Sequence, residues 1–559
     1  MYIGIDVGGT RTDAVLLENG LVRAFAEVDS SSDILSSLLN ALDLVMKGVP
    51  AELIKRSVIS TTLITNYVAE KKYDPVGLIL IPGPGLSSTE FKYDSDTFTL
   101  SGAIDYRGRE IMPLRQEEVE NAITALSAKG YRKVAVVGKF SVRNNKHELQ
   151  VAEQIKKRYP DWQVEMGHQV AGSLNYPRRV VTTMLTCATL EKYSQFLNSV
   201  QEAVSSRGIG GALFILKADG GTMPLSKATR SPIETIFSGP AASTLGVQAL
   251  IPPGETAVVV DIGGTTTDLA LVLVGQPLIS TYGAPVSDQL TQVRAMAVKS
   301  VPVGGDSFVE RVGEEIVVHS KRLGAPYCLG GPAPTPTDAL RVLGLARVGD
   351  PEKAAEAMVM LGQPLGLSAG EVANRIVNLV VDIVVLEIEE IFLQWEREPA
   401  YRVWEVLKKR KERPSTVVGV GGGAAGFIVQ IAARIGCHPV IPPYAPLANA
   451  IGAAVAIPTL QVSLRADTEQ GVYTVEEEGV QGQINKDPFT EEDALEMAAS
   501  WLKKRSEQYG LGSKLGKTET TRQDVFTMVR DWITTGRIYD ICVQTPRGIM
   551  GQIGSRGEF

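Results

Sequence analysis

One phrase occurs twice in this chain. Residues 3–17 read IGIDVGGTRTDAVLL and residues 258–272 read VVVDIGGTTTDLALV. Asp6, Gly8, Gly9, Thr10, Thr12 and Asp13 coincide with Asp261, Gly263, Gly264, Thr265, Thr267 and Asp268. Each copy is an apolar run, a D-x-G-G-T turn and a second apolar run, the pattern of a strand–turn–strand hairpin. Self-similarity at this distance points to two similar domains facing each other.

The residue types suit phosphate chemistry. Adjacent glycines let backbone reach positive φ and approach a ligand without Cβ clashes. The exposed N–H groups of such a turn form an anion-binding concavity, to which threonine hydroxyls add donors. An aspartate at the strand end suits Mg²⁺, which takes oxygen ligands and keeps most of its waters. A single Gly-Gly turn would be equally well explained as a plain β-turn; two matching copies favour a phosphate loop. A third glycine cluster, VVGVGGGAAG (417–426), precedes a helical pattern at 427–434. Strand, glycine turn and helix start again form a place where backbone can approach a ligand. No acidic residue about 20 positions on supports a dinucleotide fingerprint there.

Composition narrows the alternatives. The 559 residues are 44% hydrophobic and 21% charged, which is ordinary globular usage, and the net charge is −7. No basic field is available for nucleic acid or an anionic membrane surface. The four cysteines (187, 328, 437 and 542) are far apart with no C-x-x-C, so neither a disulfide framework nor a cysteine zinc site is expected. No two of the four histidines have zinc-ligand spacing. The chain begins directly on a strand pattern, and its most apolar stretch, 376–386, is broken by Asn378 and Asp382. A cytoplasmic protein is expected.

Two phosphate hairpins, a glycine turn and then the small-residue helix PLANAIGA (446–453) together resemble the actin-like ATPase superfamily. Within it, the wording is similar to the hydantoinase/oxoprolinase family, A-type (ATP-binding) subunit. The motifs are DVGGTRTDAVL (6–16), STTLITN (60–66), FSGPAAS (237–243), DIGGTTTDLAL (261–271), VPVGGDS (301–307), GGPAPTPTDALRVLG (330–344) and VGGGAAG (420–426). The resemblance covers about residues 1–460, with a compact segment at 324–331.

It implies an α/β protein with two ribonuclease-H-like lobes around a nucleotide cleft, at 1–240 and 241–460. Residues 461–559 form an α+β appendage on the reading of a helix at 490–510 and two strand-like runs. The 446–457 helix is expected to pack back toward the first lobe. The implied activity is ATP-dependent opening of a cyclic amide or imide, hydantoin- or 5-oxoproline-like, with ATP and Mg²⁺ as cofactors. A B-type partner subunit and an oligomer are expected with it. On this model Asp6 and Asp261 orient the hydrated Mg²⁺. Gly8, Gly9, Thr10 and Arg11 grip the phosphates from one side; Gly263, Gly264, Thr265 and Thr266 grip them from the other. Gly421, Gly422 and Gly423 back the adenosine.

Arg11, opposite Thr266 in the repeat, either neutralises charge on the transferring phosphoryl group or is a solvated surface arginine. Asp13 and Asp268 are read as hairpin braces. On the substrate side the candidates are Thr62, Asn66, Asp306 and Asp338. Each has a plain alternative: Thr62 and Asn66 as part of a helix N-terminus, Asp306 as a cap for a helix over SFVERV, and Asp338 with the same ambiguity. Cys187 is read as a core residue. Two other functions share the phosphate hairpins: a stand-alone small-molecule kinase, and an ATP-driven reactivase or chaperone-like switch.

Overall fold

The computed structural model describes residues 1–554 except 31–32, 86–92, 94, 281, 287–288, 398–412 and 512–517. The first repeat forms strands β1 (Tyr2–Val7) and β2 (Arg11–Glu18), paired antiparallel with Asp6 opposite Asp13. β3 (Leu21–Asp29) continues the meander through Asn19 and Gly20, both at positive φ, the primed turn whose twist matches the strands. β4 (Arg56–Thr61) runs parallel to β1 on its other side, and β5 (Ala212–Leu216) runs parallel to β4. The order is β3-β2-β1-β4-β5, with Thr222–Pro224 added beyond β5.

The second repeat builds the same sheet again. β6 (Ala257–Ile262) pairs with β7 (Thr267–Leu273), followed by β8 (Gln276–Pro277), β9 (Thr416–Val420) and β10 (His438–Val440). The order β8-β7-β6-β9-β10 repeats the first sheet position by position, with Val298–Val301 added beside β7. These are the two ribonuclease-H-like lobes. β1, β4, β6 and β9 are buried almost throughout, as inner strands covered on both faces must be.

Two helices join the lobes: α1 (Ser238–Leu250) and α2 (Ala448–Val455). Their contact is backbone to backbone. A Cβ on Gly452 would lie 1.9 Å from the Ala242 carbonyl oxygen, and one on Gly246 would lie 2.0 Å from the Ala448 oxygen. α2 also packs on the first lobe, where a Cβ on Gly4 would lie 2.0 Å from the Ala450 oxygen.

The apolar runs at 76–81 and 134–138 do not belong to the first lobe's sheet. Thr97–Thr99, Gly77–Ile81, Lys133–Gly138 and Gln163–Met166 make a separate four-stranded parallel sheet inserted between β4 and β5. Its one face packs on the Gln116–Ala128 and Lys146–Arg158 helices around Ile79, Val136, Leu126 and Ile155. Its other face, including Leu78 and Val137, joins the large core of the first lobe. In the second lobe a long helix runs from Ala369 to Arg397.

The C-terminal region is a five-stranded antiparallel sheet covered by the Glu491–Gln508 helix. Thr490 caps that helix in a reciprocal capping box with Asp493. The two expected strands form a long hairpin, Glu519–Arg530 with Ile533–Gln544. At its tip Trp532 is 99% exposed. No helix among the described residues is long and apolar enough to cross a membrane.

Candidate functional site

Both repeated turns close in the same way. Gly8 N–H donates to the Arg11 carbonyl (2.9 Å) and Gly263 N–H to the Thr266 carbonyl (3.0 Å). A Cβ on Gly9 would meet nothing within 4 Å, so the turn's outer side is open to a ligand. The third turn sits against the second. Gly423 N–H donates to the Ile262 carbonyl (3.0 Å), and Gly421, at φ +80°, has room for no Cβ, which would lie 2.4 Å from Asp261 Oδ1. From the first lobe, Arg11 Nη1 lies 3.9 Å from where a Gly422 Cβ would be. All three glycine turns thus gather at one place between the lobes.

Asp6 and Asp261 are joined there by two side chains. Asn449 Nδ2 donates to Asp6 Oδ2 (3.2 Å), and Ser243 Oγ lies 2.7 Å from Asn449 Oδ1 and also hydrogen-bonds Asp261 Oδ2. Sequence reasoning assigned no role to either residue. A signal was present: Asn449 is the one polar residue in A-N-A-I-G-A-A-V.

The electrostatics are those of a crowded acid site. Burial is the largest cause raising Asp6, to about 6, although hydrogen bonds from Ser60 and Asn449 oppose it and the Asp261 charge adds to it. Burial likewise raises Asp261, against hydrogen bonds from Ser243 and Asn449. Asp13 and Asp268, directly across from them in the hairpins, are pushed up to about 7, again first by burial. Asp6, Asp13 and Asp268 each keep one buried oxygen without a hydrogen-bond partner among the described residues. Acids this close with orphaned oxygens fit a hydrated Mg²⁺, which neutralises them through its waters. No three described acidic, His or Cys side chains converge to enclose a bare ion.

These folded-state acids bind protons more tightly than the unfolded chain, so stability falls as pH rises from about 4 to about 7. The metal-free protein should lose about 5 °C or more of Tm between pH 5 and pH 7.5. Adding Mg²⁺ with ADP at pH 7.5 should recover most of that loss. A Tm that is flat or rising over this interval would contradict it.

The remaining predicted residues divide. Arg11 is half exposed and already ion-paired with Glu27 (2.6 Å), with Asp13 at 3.9 Å. Thr62 does not cap its helix through its side chain; its N–H and hydroxyl both donate to the Val7 carbonyl (3.1 and 3.2 Å), bracing the first turn. Asn66 donates to the Thr62 hydroxyl (3.4 Å). Asp306 is not a helix cap, because SFVERV leads into a strand at Val309–Val312. Its N–H donates to the Gly264 carbonyl (2.7 Å) and its carboxylate pairs with Arg322 (3.0 Å), placing it on the second turn. Asp338 is fully buried, and its oxygens accept from Tyr327, Cys328 and Thr335, so it caps its helix and braces the neighbouring turn. Cys187 is 0% exposed and belongs to the core.

The family model described as Hydantoinase/oxoprolinase matches residues 179–462, and that of the Hydantoinase/oxoprolinase N-terminal region matches 2–159. The acetophenone carboxylase gamma subunit of Aromatoleum aromaticum is 26% identical over 436 residues, 68% of this chain and 59% of that protein. The caprolactamase subunit alpha of Pseudomonas jessenii is 26% identical over 490 residues, 79% of this chain and 68% of that protein. The chain thus spans about three-fifths to two-thirds of the length of these relatives. A nucleotide-free acetone carboxylase structure shares the fold at TM-score 0.72 and 17% identity, over 98% of this chain and 88% of that one. The ATP-dependent caprolactamase from Pseudomonas jessenii shares it at 0.71 and 19%, over 99% and 88%.

Proposed function

Because the chain belongs to the hydantoinase/oxoprolinase family, we propose that it is the ATP-using subunit of an enzyme that phosphorylates and opens a cyclic amide or imide. The observation that carries this reading is the joining of Asp6 and Asp261, one from each hairpin, through Asn449 and Ser243, with the third glycine turn against Asp261.

Opening an unstrained lactam is unfavourable, so it is coupled to ATP. Phosphorylating the carbonyl oxygen makes the ring carbon a better electrophile toward water. That transfer asks of a protein mainly positioning and charge neutralisation. Gly8, Gly9 and Thr10 present N–H and hydroxyl donors from one lobe, and Gly263, Gly264, Thr265 and Thr266 from the other. Gly421, Gly422 and Gly423 form the flat wall for the adenosine. Asp6 and Asp261 would hold Mg²⁺ through its waters, and the ion would offset charge on the phosphates. Arg11 leans toward the third turn from its pairing with Glu27, in reach of the same phosphates. Thr62, Asn66 and Asp306, each attached to one of the two turns, are the substrate-side candidates.

A B-type partner completes the enzyme on this reading. The relatives are named as gamma, alpha and beta subunits, which supports a shared assembly. We place the reaction in the cytoplasm, where ATP is available.

The test is ADP release from a panel of hydantoin, 5-oxoproline and caprolactam, with and without the B-type subunit. One cyclic amide should stimulate release about tenfold or more, and only with the partner present. A stable phosphorylated hydroxyl product made by this chain alone would instead identify a kinase. Turnover stimulated by a protein with no small substrate would identify a switch.

A further inference from the structure

We infer that Asn449 and Ser243 are positioning residues that fix which oxygen of each hairpin aspartate faces the phosphate side of the cleft. This deepens the proposed function and rests on it. Helix α2 meets α1 and β1 most closely at Gly4, Gly246 and Gly452, where backbone approaches backbone. Asn449 is only partly buried, and its carboxamide lies between the two carboxylates, bonding one directly and reaching the other through Ser243.

The bridge has a direction. The amide nitrogen can only donate, and it donates to Asp6 Oδ2; the amide oxygen can only accept, and it faces the Ser243 hydroxyl. Ser243, 1% exposed, also contacts Asp261 Oδ2, so its single hydroxyl proton is shared between that oxygen and the amide oxygen. The bridge therefore occupies the Oδ2 atom of both aspartates. Asp6 Oδ1 is left buried and without a partner, and Asp261 Oδ1 is left beside Gly421. With α1 and α2 packed backbone to backbone, the two bridging side chains stand on a rigid frame, and each lobe's aspartate is registered against the other's.

The experiment measures affinity for a non-hydrolysable ATP analogue with and without Mg²⁺, alongside kcat, KM for ATP and Tm. In Asn449→Ala the metal-free affinity should stay within about threefold of wild type, while the Mg²⁺-dependent gain shrinks about tenfold or more. kcat should fall about 30-fold or more, and KM for ATP in saturating Mg²⁺ should rise about tenfold as the gain is lost. Ser243→Ala should do the same to a smaller extent, and the double variant should be no worse than Asn449→Ala, since both remove one bridge. Asn449→Asp, nearly isosteric, keeps the volume but loses the donor and should lose at least as much; it decides the matter if the alanine variant does not fold. An undiminished Mg²⁺ gain in these variants, or effects that multiply in the double variant, would overturn the inference. A wild-type chain with no Mg²⁺-dependent nucleotide affinity would instead overturn the proposed function itself.

Discussion

Asp261→Asn is expected to lower ATP turnover about a thousandfold while leaving the fold intact or slightly more stable. The two effects have one cause. Asp261 is a partly buried carboxylate whose proton affinity is raised, and its charge in turn raises Asp6 and Asp268. The amide has the same shape and can still bond Ser243, but it removes one of several mutually repelling charges. Tm at pH 7.5 without Mg²⁺ should therefore hold or rise. Turnover should collapse, because holding a divalent cation against a triphosphate requires that charge. Steady-state ADP release beside a melting curve reads both. Near-normal turnover would remove Asp261 from the chemistry, and a large loss of Tm would mean that its role is structural. A site that is destabilising until occupied is the expected trade between stability and function.

Gly452→Ala is expected to cost about 3 kcal/mol or more, through a single methyl group. Its Cβ would lie 1.9 Å from the Ala242 oxygen and 2.6 Å from Gly246 N, both backbone atoms that no side-chain rotation can clear. α1 and α2 would have to separate, and with them the frame that carries Ser243 and Asn449. The same change at Gly370 gives the control. No atom lies within 4 Å of its added Cβ, and the site begins a long helix, so Gly370→Ala should be neutral or mildly stabilising. Urea unfolding of the two variants compares them directly. Equal stabilities would show that the helix contact is less tight than described.

The parts legible in the sequence are those written locally. A hairpin needs only its two runs and its turn residues, so both Asp-headed turns and their strands could be read directly. The Thr490 helix and the C-terminal hairpin were legible for the same reason. Sheet membership was not, since Gly77–Ile81 and Lys133–Gly138 are apolar throughout like β4, and only the crossovers decide which sheet takes them. Asp338 shows the limit within a motif: T-x-x-D is a cap signature, but the two further backbone bonds to its oxygens come from Tyr327 and Cys328 in a different loop. The Asn449–Ser243 bridge is longer-range still, spanning 443 positions between Asp6 and Asn449. Its one local trace was a lone asparagine in a helix of small apolar residues.

The most direct test of the central claim is a structure of the protein with Mg²⁺ and a non-hydrolysable ATP analogue. The triphosphate should lie between Gly8–Thr10 and Gly263–Thr265, with a hydrated cation facing Asp6 and Asp261 and the adenosine against Gly421–Gly423. A nucleotide bound elsewhere, or touching one hairpin alone, would contradict the account.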